Sequence, residues 1–217
     1  MSVIIRKIFL SLIFAAGFAG LANATESRIR IVAFGDSLTA GYQLPPEAAF
    51  PVQLQKALQS RHPDVAVINA GVSGDTSKSG LHRLDWSLDD NVDAVILELG
   101  ANDALRGIQP KFTEQALDDI LQKLKGRNIE ILIAGMRAPP NLGEEYSAAF
   151  NPIYSRLAKK HDVLLYPFFL EGVVANPSLN LPDGIHPTEE GIGVIVDNIL
   201  PLVEDLIARV RTRTGSN

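Results

Sequence analysis

The sequence of 217 residues contains no cysteine. That absence excludes disulfide cross-links, a thiol nucleophile and acylation of an N-terminal cysteine, so stability has to come from packing. Aromatic residues are scarce as well, with a single tryptophan, Trp86. The four histidines, His62, His82, His161 and His186, form no spaced cluster with carboxylates, so no metal site is expected. Internal repeats, low-complexity runs and linkers are missing too, and one domain is the simple reading.

The start of the sequence carries the pattern expected of a targeting segment. Arg6 and Lys7 precede an apolar run from Ile8 to Leu21, followed by Ala22-Asn23-Ala24. The run is shorter than the ~20 residues a spanning helix needs, and small-x-small is the pattern a signal peptidase reads. Residues 1–24 are therefore expected to be a cleaved signal peptide, and 25–217 a single periplasmic or secreted domain beginning at Thr25, with no stable membrane anchor. Without Arg6 and Lys7, 18 basic residues face 25 acidic ones, a net charge of −7. Such a balance argues against nucleic acid as a partner.

The remainder alternates two patterns. Near-continuous Val/Ile/Leu runs predict strands over Arg28–Phe34, Val65–Ile68, Ala94–Leu99, Ile129–Ala134 and Val163–Phe168. Helical spacing predicts helices over Glu47–Ser60, Thr113–Lys125, Glu145–Lys160 and Thr188–Val210, with a polar helical stretch around His82 and a frayed end from Arg211 to Asn217. Alternation of this kind implies an α/β fold, a five-stranded parallel sheet in a three-layer α/β/α sandwich of flavodoxin-like type.

In such sheets ligands bind beyond the carboxyl ends of the strands, where the strand order switches direction. Ser37 follows the first predicted strand, Gly74 the second and Asn102 the third, so all three converge on one edge. Asp183 and His186 lie in the loop before the last helix, which can reach the same edge. A serine hydroxyl becomes nucleophilic when an imidazole takes its proton, and the imidazole needs a carboxylate to fix its tautomer. The Asp183-Gly184-Ile185-His186 turn can present such a pair. Taken singly, each residue has a plainer use: Ser37 as a helix cap, Gly74 as a turn and Asn102 as a loop brace. Asp36 is read as structural, and His62, His82 and His161 as exposed. No Gly-x-Ser-x-Gly elbow surrounds Ser37, and no phosphate-binding loop for a flavin follows the first strand.

Four blocks in order, Gly35-Asp36-Ser37-Leu38, Ser73-Gly74-Asp75, Gly100-Ala101-Asn102-Asp103 and Asp183-Gly184-Ile185-His186-Pro187, resemble those of the GDSL, or SGNH, hydrolases. The resemblance is to the small secreted arylesterase and thioesterase/lysophospholipase branch. It implies a serine esterase needing no cofactor, with Ser37, Asp183 and His186 as the catalytic set. It further implies that the Ser37 and Gly74 backbone N–H groups and the Asn102 side chain form the oxyanion hole. The expected substrate is a small-molecule or lipid ester, taken by a monomer. Leu105, Ile108 and Pro139, with Phe112 and Leu142, are expected to contact its acyl or aryl part. Relatives often carry glycine at the positions of Ala101 and Ala104, which predicts a stiffer loop here. Two other readings stay open: a carbohydrate O-acetylesterase on the same fold, which would want aromatic platforms, and a non-catalytic binding protein.

Overall fold

The computed structural model describes residues 29–215, so the expected signal peptide and its cleavage site lie outside the described residues. The chain runs β1 (Ile29–Gly35), α1 (Ser37–Ala40), α2 (Phe50–Leu58), β2 (Val65–Gly71), α3 (Ser77–Ser87), β3 (Ala94–Glu98), α4 (Ala101–Leu105), α5 (Pro110–Gly126), β4 (Glu130–Ala134), α6 (Gly143–Phe150), α7 (Ile153–His161), β5 (Leu164–Tyr166) and α8 (Glu189–Gly215). All strand pairs are parallel, in the order β2-β1-β3-β4-β5. Helices α2 and α8 cover one face of the sheet, and α5 and α7, joined by α3, cover the other.

The central strands explain their own pattern. All of β3 and all of β1 except Arg30 are buried, because helices seal both faces. Phe50, Leu54 and Leu58 bury one stripe of α2, and Ile192, Ile195, Val196, Ile199, Val203, Leu206 and Ile207 do the same along α8. Truncating one of these side chains to alanine is worth about 2–5 kcal/mol.

Several boundaries differ from the sequence reading. The single helix expected from Glu145 to Lys160 is two helices, α6 and α7, because Pro152 offers no N–H to continue the first. A short 3-10 turn, Pro46–Ala48, precedes α2. The C-terminal residues expected to fray continue α8 to Gly215, where Arg211 grips Asp64 through two bonds of 2.9 Å. Pro201 is tolerated within α8 because it sits on the solvent side. His161 is buried rather than exposed: its Nε2 pairs with Asp118 Oδ1 at 2.6 Å and ties α7 to α5. The segment Ala101–Leu105, expected as a loop, is helical.

Candidate active site

The carboxyl ends of β2, β1 and β3 lie side by side, since β1 pairs with both neighbours. The chain leaving β1 turns at once into α1, and Asp36 caps it by accepting from the Leu38 N–H at 3.0 Å. This places Ser37 at the first helical position, its hydroxyl facing outward. The chain leaving β2 passes through Gly74 with φ +86°, a conformation a side chain would strain. Beyond β3, Gly100 leads into α4, which carries Asn102. Asp103 anchors that helix, accepting from the Ser77 N–H at 2.8 Å, the Ser77 hydroxyl at 2.5 Å and the Thr113 hydroxyl at 3.0 Å.

The last loop arrives from the other direction. Asp183 Oδ1 accepts from the N–H groups of Ile185 (2.9 Å) and His186 (3.0 Å), and Gly184 takes φ +70° to close the turn. The Leu181 N–H donates to the His186 carbonyl at 2.7 Å, which pins the turn from behind. The second carboxylate oxygen, Oδ2, is thereby aimed at His186 Nδ1, 2.7 Å away. His186 Nε2 lies 2.9 Å from Ser37 Oγ. Serine, imidazole and carboxylate thus form one unbroken relay across 149 residues of sequence.

Electrostatics follow from this arrangement. Desolvation pushes Asp183 up, yet the hydrogen bonds from the backbone of His186 and Ile185, the imidazole and its charge outweigh it, lowering the carboxyl to about 2. Asp36 shows the reverse balance: burial dominates and raises it to about 6, against the hydrogen bonds from Leu38 and Asn102 and the charge of His186. Beneath it Glu98 is fully buried and pushed well above the usual carboxylate range by desolvation, with the nearby Asp36 adding to the effect. Glu98 Oε2 accepts from the Thr39 hydroxyl at 2.7 Å, while Oε1 has no partner among the described residues. A neutral Glu98 is the form this site favours.

Asp36 has a second task that sequence reasoning missed. Its Oδ2 accepts from Asn102 Nδ2 at 3.0 Å, which fixes the direction of the Asn102 amide. The contact spans 66 residues, and no local spacing announces it. The backbone N–H groups of Ser37 and Gly74 make no hydrogen bond among the described residues.

Ser37, Gly74, Asn102 and His186 all line one apolar cavity of about 520 Å³. Leu105 and Pro139 line it, joined by Met136, Phe168, Leu170 and Val174. Ile108 does not line it: its carbonyl accepts from the Tyr146 hydroxyl at 2.7 Å. Phe112 and Leu142 are also absent from the lining, Phe112 because the first turn of α5 turns it to solvent. Trp86 is exposed on α3 and does not reach the cavity, so no tryptophan offers a sugar platform there. Among the described residues no group of three or more histidines and carboxylates could hold a metal, and no helix is long and apolar enough to cross a membrane.

Comparison with known proteins places the chain in a family. A sequence model of the GDSL-like lipase/acylhydrolase family matches residues 33–192. An arylesterase from Vibrio mimicus is 42% identical over 174 residues, covering 80% of this chain and 87% of its own. The thioesterase 1/protease 1/lysophospholipase L1 of Escherichia coli is 43% identical over 178 residues, covering 82% of this chain and 84% of its own. The crystal structure of AlinE4, an SGNH-hydrolase family esterase, superposes with a TM-score of 0.70 at 45% identity, covering 82% of this chain and 96% of that one. The chain belongs to the GDSL-like lipase/acylhydrolase family, and it is a serine esterase.

Proposed function

We propose that Ser37 is the nucleophile, that His186 takes its proton and later activates water, and that Asp183 orients His186. The observation that carries this reading is the relay itself, 2.9 Å from serine to imidazole and 2.7 Å from imidazole to carboxylate. Attack of Ser37 Oγ on an acyl carbonyl gives a tetrahedral oxyanion, which the N–H groups of Ser37 and Gly74 and the Asn102 amide are suited to receive. Collapse expels the alcohol, protonated by His186. Water, deprotonated by the same imidazole, then releases the acid from the acyl-enzyme.

The apolar cavity favours aryl esters or acyl chains of short to medium length, with acyl thioesters and lysophospholipids as further candidates. The names of the arylesterase and thioesterase/lysophospholipase relatives support that range. One chain supplies every group of the relay, which suits a monomer. The basic pair, apolar run and Ala22-Asn23-Ala24 pattern support export, with residues 1–24 removed.

The test is a panel of p-nitrophenyl esters of increasing chain length with wild-type enzyme and Ser37→Ala. Hydrolysis by wild type, its abolition in the folded variant, and labelling of Ser37 alone by an organophosphonate are expected. A Ser37→Ala enzyme that keeps a substantial share of the wild-type rate overturns the assignment.

A further inference from the structure

Arg83, on α3, is buried, and among the described residues no other arginine or lysine is. It does not line the cavity. Its Nε donates to Asp75 Oδ2 at 2.5 Å, its Nη2 to the Gly35 carbonyl at 2.9 Å and its Nη1 to the Ser87 hydroxyl at 3.3 Å. The guanidinium also lies over the Phe34 ring, 3.9 Å from its centre. Burying a cation is costly unless it is fully paired, so this one is held for a reason.

The reason is visible in what it joins. Gly35 ends β1 two residues before Ser37, and Asp75 directly follows Gly74. One planar group therefore grips both segments that carry backbone oxyanion donors. The Gly74 segment needs such a grip: Val72, Ser73 and Gly74 are all exposed, so none of them is fixed by packing. A backbone bond from the Val72 N–H to the same Gly35 carbonyl (3.0 Å) closes the bridge from above. On the other side, Arg106 Nη2 donates to the Gly74 carbonyl at 2.8 Å and links the segment to the helix bearing Asn102.

We propose that Arg83 is a positioning residue of the oxyanion hole, which sets the spacing of the Ser37 and Gly74 N–H groups by holding Gly35 and Asp75 together from behind. The inference rests on the reading of Ser37, Gly74 and Asn102 as oxyanion donors. Lysine cannot replace the guanidinium, because one ammonium on a flexible stem lacks the planar fork that meets a carboxylate and a carbonyl in different directions.

The experiment compares Arg83→Lys, Asp75→Ala, Asp75→Asn and Asn102→Ala on one short-chain ester. Thermal unfolding is measured for each variant, and kinetics are read well below its midpoint. Arg83→Lys and Asp75→Ala are expected to lower kcat by about 10- to 100-fold, as small misplacements of catalytic groups do, while KM moves by less than about twofold. Asp75→Asn keeps an oxygen acceptor for Nε and should recover most of what Asp75→Ala loses. If Arg83→Lys does not fold, the two Asp75 variants decide the matter. Wild-type kcat in folded Asp75→Ala, with only the unfolding midpoint lowered, reduces the pair to a structural tie and overturns the proposal. A large loss in Asn102→Ala beside that result spares the oxyanion reading, whereas wild-type kcat in Asn102→Ala overturns that reading itself.

Discussion

The ring of Tyr42 lies 4.5 Å from the imidazole of His186, centre to centre, tilted by 39°. A turn with Gly41 at φ +83° and Gln43 at φ +58° presents Tyr42 there. The imidazole nitrogens are taken by Asp183 and Ser37, so the contact with Tyr42 is ring on ring. Tyr42→Phe should hydrolyse esters at close to the wild-type rate. Tyr42→Ala should lower kcat by about 2- to 10-fold, the kinetic equivalent of an aromatic pair worth roughly 0.5–1.5 kcal/mol. Steady-state kinetics on one aryl ester distinguish the two.

Asp183→Asn should cost far more. The asparagine oxygen can still accept from Ile185 and His186, so the turn survives, but an amide N–H then faces Nδ1 and selects the wrong imidazole tautomer. A loss of roughly 10²–10⁴ in kcat follows, with little change in the unfolding midpoint. Because Asp183 is held down to about 2, it remains ionised throughout the acid limb of any ordinary pH–rate profile. The acid limb in the wild type is therefore not the titration of Asp183.

Glu98 carries a stability prediction. Its folded-state value is raised, so the neutral carboxyl contributes stability that is fully present below the usual carboxylate range and lost as pH rises through the raised value. Asp36 adds to the loss between 3.8 and about 6. Glu98→Gln removes the Glu98 part. The difference in unfolding midpoint, variant minus wild type, should therefore become more favourable from pH 5 to pH 8, as read by thermal or denaturant unfolding. A difference independent of pH would show that Glu98 is not the linked group.

Ala101 and Ala104 both border the cavity from α4. Replacing both with glycine should loosen that short helix, since glycine in a helix costs up to about 1 kcal/mol relative to alanine. Rates on long-chain esters should then rise relative to short-chain ones. Superimposable chain-length profiles would show that stiffness at these two positions does not set the preference.

The strands were legible because helices on both faces leave no room for polar residues in β1 and β3, so the buried run is written directly in Val, Ile and Leu. The relay residues were legible for a different reason: Asp183 and His186 are three apart, and Ser37 follows a strand. What escaped depends on contacts between distant segments. Helix α4 begins in residues whose chemistry reads as a turn, and it is held by Asp103 reaching Ser77 and Thr113. His161 looked exposed in a charged stretch because Asp118 lies 43 residues away. The break before Pro152 was hidden by apolar spacing that continues in phase on both sides.

The distance between Ser37 and His186 along the chain has a consequence for how activity appears. Ser37 belongs to the first turn after β1, and His186 to the loop that leads into α8. No partial assembly of the intervening elements contains both. A chain in which the segment before α8 is not seated against the carboxyl end of β1 lacks the imidazole beside Ser37 and is expected to be silent toward esters. Ester hydrolysis therefore reports, with no added label, that the first turn after β1 and the segment before α8 have come together.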